Sequence, residues 1–138
     1  MKLNTTPSLK RKSGMTLLEL TVVILVLLSL ISILFIGARA WKRGSDRAAN
    51  ILNIRNVQQA VRGHMNMMNI VTPTTAGSGV VLANADIIGT DKYLKEPAVP
   101  CSTISYAYLD KAPAVGELYL TVSGTDATAF APADYSTW

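Results

Sequence analysis

Hydrophobic and polar positions divide the chain into three regimes. From Met15 to about Ala38 nearly every residue is apolar, and the single charge is Glu19. Leu20 to Ala38 gives about nineteen residues without charge, enough for a helix to cross a hydrocarbon core. Beyond it, Ala48, Ile51, Leu52, Val57 or Gln58, Val61, Met65 and Met68 recur at three- and four-residue steps. Arg47, Asn50, Arg55, Asn56, Gln59 and Arg62 fall between them. This pattern predicts an amphipathic helix continuous with the apolar one. No proline lies between Pro7 and Pro73, and Gly37, Gly44 and Gly63 are its weak points. From Met15 to about Asn69 such a helix would be on the order of 80 Å long.

The third regime is short and broken. Val71 to Gly79 carries breaker chemistry and reads as a loop. Asn84 to Leu94 reads as a short helical or irregular piece, and Pro97 and Pro100 bracket an extended linker. Ile104, Tyr106 and Tyr108 alternate with Ser105 and Ala107, which predicts a strand. Leu118, Leu120 and Val122 alternate with Tyr119 and Thr121, a second strand joined to the first by Asp110 to Gly116. Ser123 to Asp126 is a turn, and Ala127 to Phe130 is expected to add a short third strand. A small antiparallel sheet needs cover for its apolar face, and the amphipathic helix is the available cover. The fold class expected is α+β, a long N-terminal helix packed by its second half on a small antiparallel sheet.

Charge changes this picture mainly at the N-terminus. The 138 residues carry 13 basic and 9 acidic side chains. Lys2, Lys10, Arg11 and Lys12 precede Gly14, where there are no acids. Without those four the remainder is near neutral, so the basic balance says little about nucleic acid. It holds the N-terminus on the cytoplasmic side. Arg39, Lys42, Arg43 and Arg47 follow the apolar run and suit lipid phosphates at the other membrane face. They also blunt the positive-inside signal, since about four basic residues stand on each side. Cys101 is alone, so no internal disulfide forms.

The stretch Lys12-Ser13-Gly14-Met15-Thr16-Leu17-Leu18-Glu19-Leu20-Thr21 resembles the processing signature of type IV prepilins and type II secretion pseudopilins. The resemblance covers about thirty residues. It implies cleavage after Gly14 by a prepilin peptidase, N-methylation of the new terminus Met15, and a subunit-registering role for Glu19. Met15 departs from the phenylalanine usual at that position. Lone Cys101 departs from the C-terminal disulfide loop of many members. Gly37 stands near where many carry a proline. The implied organisation is a leader at 1–14, a transmembrane or filament-core half at 15–38, an amphipathic half at 39–69 and a small β-rich part at 70–138. The implied fold is pilin-like. Implied partners are other copies or co-subunits in a polymer, the peptidase, an assembly ATPase, a platform membrane protein, and membrane lipids before assembly. The implied location is the bacterial inner membrane, with the domain outside the cytoplasm, then a periplasmic or extracellular filament.

A carboxylate in an apolar run is costly unless shielded, neutral or near the headgroups. After cleavage the Met15 amine lies about one helical turn from Glu19. Glu19 is expected either to lie near the headgroups or to meet an amine, its own N-terminus or that of a neighbour shifted along the axis. His64, Met65, Met67 and Met68 invite a soft-metal reading, but core filling and solvent exposure explain them as well. Asp126 and Asp134 lack ordered calcium-ligand spacing. Tyr106, Tyr108 and Tyr119 read as sheet residues without interleaved arginine, so no nucleic-acid surface is expected. No nucleophile–base pair or phosphate loop appears, and neither catalysis, a metal nor a cofactor is expected. Two rivals remain: a monomeric inner-membrane-anchored binding module outside the cytoplasm, and a membrane carboxylate that carries protons or ions. Both leave the Ser13-Gly14 junction unexplained.

Overall fold

The computed structural model describes residues 14–138. The expected leader, apart from Gly14, lies outside the described residues. The element order is α1 (Leu17–Met67), α2 (Asn84–Ile87), β1 (Ile104–Tyr108), β2 (Leu120–Gly124) and α3 (Ala127–Phe130). This is a long apolar N-terminal helix with a small two-stranded antiparallel sheet, an α+β arrangement. Two compact units are distinguished, one ending at Ala40 and the other spanning Trp41–Trp138.

Both ends of α1 have identifiable chemistry. It begins at Leu17 rather than Met15, because Thr16 takes the cap: its Oγ1 accepts from the Glu19 amide at 3.2 Å. Asn69 ends it with a φ of 55°, while the Ile70 amide reaches back to the Met65 carbonyl at 2.8 Å. That six-to-one bond across a left-handed residue satisfies a carbonyl the helix leaves open.

Within Trp41–Trp138, α1 buries Asn50, Ile54, Val57, Gln58, Val61, His64 and Met65. The expected stripe is therefore rotated. Val57, Gln58, Val61 and Met65 belong to it, but Ala48, Leu52 and Met68 are exposed and Ile51 is only half-buried. Polar residues cause the rotation. Asn50 Nδ2 donates to the Phe130 carbonyl at 2.8 Å. Gln58 Nε2 donates to the Glu117 carbonyl and its Oε1 accepts from the Tyr119 amide, both at 3.0 Å. Asn53 Nδ2 reaches the Ala98 carbonyl at 2.9 Å and the Tyr106 hydroxyl at 3.0 Å. Gln58, with a backbone partner at each end of its amide, loses little by leaving water, whereas the buried Asn50 Oδ1 has no partner among the described residues.

The sheet pairs Ile104 with Gly124 through Tyr108 with Leu120. Residues Ile54, Val57, Val61 and Met65 of α1 pack with Leu82, Ile87, Ala112, Tyr119 and Leu120 to form the core. Tyr119 corrects the expected alternation. It stands just before β2, fully buried, with its hydroxyl donating to Asn84 Oδ1. Leu118 also lies outside the strand and is half-buried. Ala127–Phe130 forms α3, not a third strand. Alanine favours helix, and the Ala129 and Phe130 amides both return to the Asp126 carbonyl. Pro132 follows closely and helps stop it. Gly124 has a φ of 122°, and a Cβ there would run into the Thr103 carbonyl oxygen. Only glycine suits that close approach.

Candidate functional site: an apolar helix segment with one carboxylate

Every residue from Gly14 to Ser45 is exposed. Large apolar side chains between Leu17 and Ile36 are 46–83% exposed, and they surround the helix on all sides. Monomeric soluble proteins rarely leave an apolar surface of this extent facing water. The helix is long and apolar enough to cross a membrane, which is compatible with membrane anchoring.

Gly14, Met15 and Glu19 lie together at the start of this segment. Glu19 occupies the third helical position after its cap, where a carboxylate also opposes the positive end of the helix dipole. Sequence reasoning missed that local role, although the Thr16-x-x-Glu19 spacing signals a capping box. Among the described residues, the Glu19 carboxylate has no hydrogen-bond or ion-pair partner. Three hydroxyls in the segment donate back to their own helix. Thr21 reaches the Leu18 carbonyl, Ser29 that of Val26 and Ser32 that of Leu28, at 2.7–2.8 Å.

The basic residues that follow have different environments. Arg39 and Arg47 are exposed. Lys42 pairs with Asp46 one turn on, at 3.0 Å. Arg43 pairs with Asp126 at 2.8 Å, a pairing that nothing local in the sequence signals. Asp134 is elsewhere engaged: its carboxylate accepts from the Ser136 amide at 3.0 Å, which lowers its pKa. Among the described residues, no group of three His, Cys, Asp or Glu side chains is placed to hold a metal.

His64 is buried and meets Tyr93 edge-on at 5.3 Å between ring centres, with Nδ1 buried and unpartnered. Met65 is core, whereas Met67 and Met68 are exposed. Burial raises the pKa of Tyr106 and Tyr108. Burial, followed by the nearby Asp110 and Tyr108, pushes the Tyr119 phenol up to about 12. Cys101 is half-buried, its Sγ 3.2 Å from Thr103 Oγ1. Comparison with protein-family models, curated proteins and solved structures finds no match to this chain.

Proposed function

We propose that the chain is a structural subunit of a type IV pilus-like or pseudopilus-like filament, stored in the inner membrane and polymerised through the first part of α1. One observation carries the reading. A helix segment exposed and apolar on every side holds a lone carboxylate in its first turn, directly after a basic, Ser-Gly junction. Lipid satisfies such a surface before assembly, and other copies of the helix satisfy it afterwards. The exchange of lipid for helix gains little free energy by burial, so packing and the pairing of Glu19 must give it direction.

In this reading a prepilin peptidase cuts after Gly14 and methylates Met15. Arg39, Lys42, Arg43 and Arg47 flank the membrane on the far side. The domain lies outside the cytoplasm, and an assembly ATPase with a platform membrane protein lifts the subunit from the bilayer. The chain's own role is structural rather than catalytic. Mass spectrometry of the protein from its membrane tests this. The expected product begins at an N-methylated Met15. A protein that retains residues 1–14 overturns the proposal.

A further inference from the structure

The chain's two tryptophans stand in opposite circumstances. Trp138 is half-buried, with the Arg55 guanidinium carbon 4.7 Å from its ring centre. Trp41 is 79% exposed. Among the described residues its ring meets no other aromatic ring or guanidinium, and its N–H has no hydrogen-bond partner. At about 100° per residue, Lys42, Arg43, Asp46 and Arg47 fall within one arc of α1 of roughly 140°, and Trp41 stands on the opposite side. Arg43 turns that arc toward Asp126. Gly44, Ser45 and Ala48, the nearest residues on the side of Trp41, are small and exposed, so they leave the indole uncovered.

The basic residues beside it are less available to a membrane than their number suggests. Lys42 holds Asp46 at 3.0 Å and Arg43 holds Asp126 at 2.8 Å. Arg47 follows Ala38 by nine residues, about 13 Å along a helix, which is past a headgroup layer of roughly 5–8 Å. Trp41 follows by three, about 4.5 Å, and falls within that layer. Arg39 is free and close enough to reach phosphates, but a long flexible side chain keeps its charge in water over a range of depths. A rigid indole does not. Moved inward, its N–H loses hydrogen-bond partners; moved outward, its apolar area returns to water. We propose that Trp41 fixes the depth of the helix at the far membrane face, with its ring in the headgroup and carbonyl layer of a phospholipid bilayer. The inference rests on the membrane-anchoring part of the proposed function and moves the anchor from the basic residues to the indole.

Trp41 is its own reporter. The full chain with Trp138→Phe is reconstituted at low density in phosphatidylcholine vesicles that hold a minor share of phosphatidylglycerol, and flotation establishes insertion. Trp41 emission is quenched in turn by lipid nitroxides near the carbonyls, by lipid nitroxides at mid-chain and by acrylamide in water. The shallow nitroxide should quench most strongly, and the same order should hold in Lys42→Gln and in vesicles without phosphatidylglycerol. Depth is read separately in a Cys101→Ser chain with Gly37→Cys, by its rate of labelling with a membrane-impermeant maleimide. Trp41→Ala should raise that rate severalfold. Trp41→Tyr, which keeps a ring with a polar tip, should restore it, and Arg39→Gln should leave it near the parent rate. A chain that fails to float overturns the anchoring reading and this assignment together. A chain that floats, but with Trp41 quenched best at mid-chain or by acrylamide, or with a labelling rate unmoved by Trp41→Ala, overturns the assignment alone. Protection from acrylamide that arises only as protein density rises gives Trp41 to a second copy of the chain and likewise overturns it.

Discussion

Replacing Gln58 by leucine removes both ends of one clamp and leaves the shape of the side chain almost intact. The Tyr119 amide, which donates to Gln58 Oε1 at 3.0 Å, belongs to a fully buried residue. The Glu117 carbonyl, which accepts from Nε2 at 3.0 Å, is only part-buried. A buried group stripped of its partner costs about 1–3 kcal/mol, with the carbonyl near the lower end because water reaches it. Leucine returns about 1–2 kcal/mol through apolar burial. The net loss expected is about 1–2 kcal/mol. For a domain of this size that lowers the melting temperature by roughly 5–15 °C. Gln58→Glu separates the two bonds. It keeps an acceptor for the Tyr119 amide, but turns a carboxylate toward the Glu117 carbonyl and buries its charge, so its loss should exceed that of leucine. Urea unfolding of the full chain in detergent measures both variants, and hydrogen exchange reports the Tyr119 amide directly. A leucine variant within about 0.5 kcal/mol of wild type, with the Tyr119 amide equally protected, would refute the clamp; the threshold is the scatter expected for an uninvolved surface site.

Other parts of the structure give equally direct expectations. Val61→Asp places an unpaired carboxylate at a fully buried position, so a loss of about 3–5 kcal/mol and rapid proteolysis of the domain are expected, with membrane insertion retained. Gly124→Ala sets a Cβ against the Thr103 carbonyl at a φ of 122° and should cost about 1–3 kcal/mol, seen as faster exchange of the Thr125 amide that donates to that carbonyl. The folded state raises the Tyr119 phenol from 10.0 to about 12, so it holds the proton more tightly than the unfolded chain does. The stability from Tyr119 is therefore complete below pH 10.0 and is lost as pH rises toward about 12, and Tyr119→Phe should flatten that part of the alkaline decline in urea midpoint. Under the filament proposal, Glu19→Ala and Glu19→Gln should insert normally but assemble poorly and Glu19→Asp partially; wild-type filament yield in Glu19→Ala, at matched membrane levels and with cleavage confirmed, rules out the pairing role.

What the sequence conveyed depended on how locally each feature is encoded. The apolar run is self-evident in composition, and the β1 alternation of Ile104, Tyr106 and Tyr108 is complete within one strand. The face of α1 that packs is less legible, because periodicity finds apolar residues and the packed face includes Asn50 and Gln58. Their burial depends on the carbonyls of Phe130 and Glu117 and the amide of Tyr119, all at least 59 residues away. Tyr119 misled for a related reason: its phenol is held by Asn84 before the strand begins, so alternation from Leu120 does not extend back to it. Ala127–Phe130 alternates in size, yet it lacks a partner strand, and local helix propensity wins. At the candidate site Gly14, Met15 and Glu19 stand out in the sequence because they fall within one contiguous stretch. The Arg55, Gln59 and Arg62 row was visible as polar spacing, but the indole beside it comes from 76 residues beyond Arg62.

The two parts of α1 differ in how each can specify one packing. From Asn50 to Gln58, side-chain amides reach fixed backbone groups. A slide of one turn would strand those groups, so that interface has one register. From Leu17 to Ala38 no comparable device repeats. The hydroxyls of Thr21, Ser29 and Ser32 donate into their own helix, which removes them as donors to a neighbour. The remaining side chains are apolar on every side, and a leucine that slides away from one apolar neighbour meets another of similar value. Such a surface favours association without choosing among alignments. A carboxylate is not interchangeable in this way. An alignment that leaves Glu19 among apolar chains carries a desolvation penalty of several kcal/mol, whereas one that brings a cation to it offsets that penalty. Under the filament proposal the discrimination among alignments is therefore concentrated at one residue near the start of the segment. Under the same proposal the cleavage and the carboxylate belong together, because the cut creates a cation about one helical turn from Glu19, where a neighbouring helix can present it.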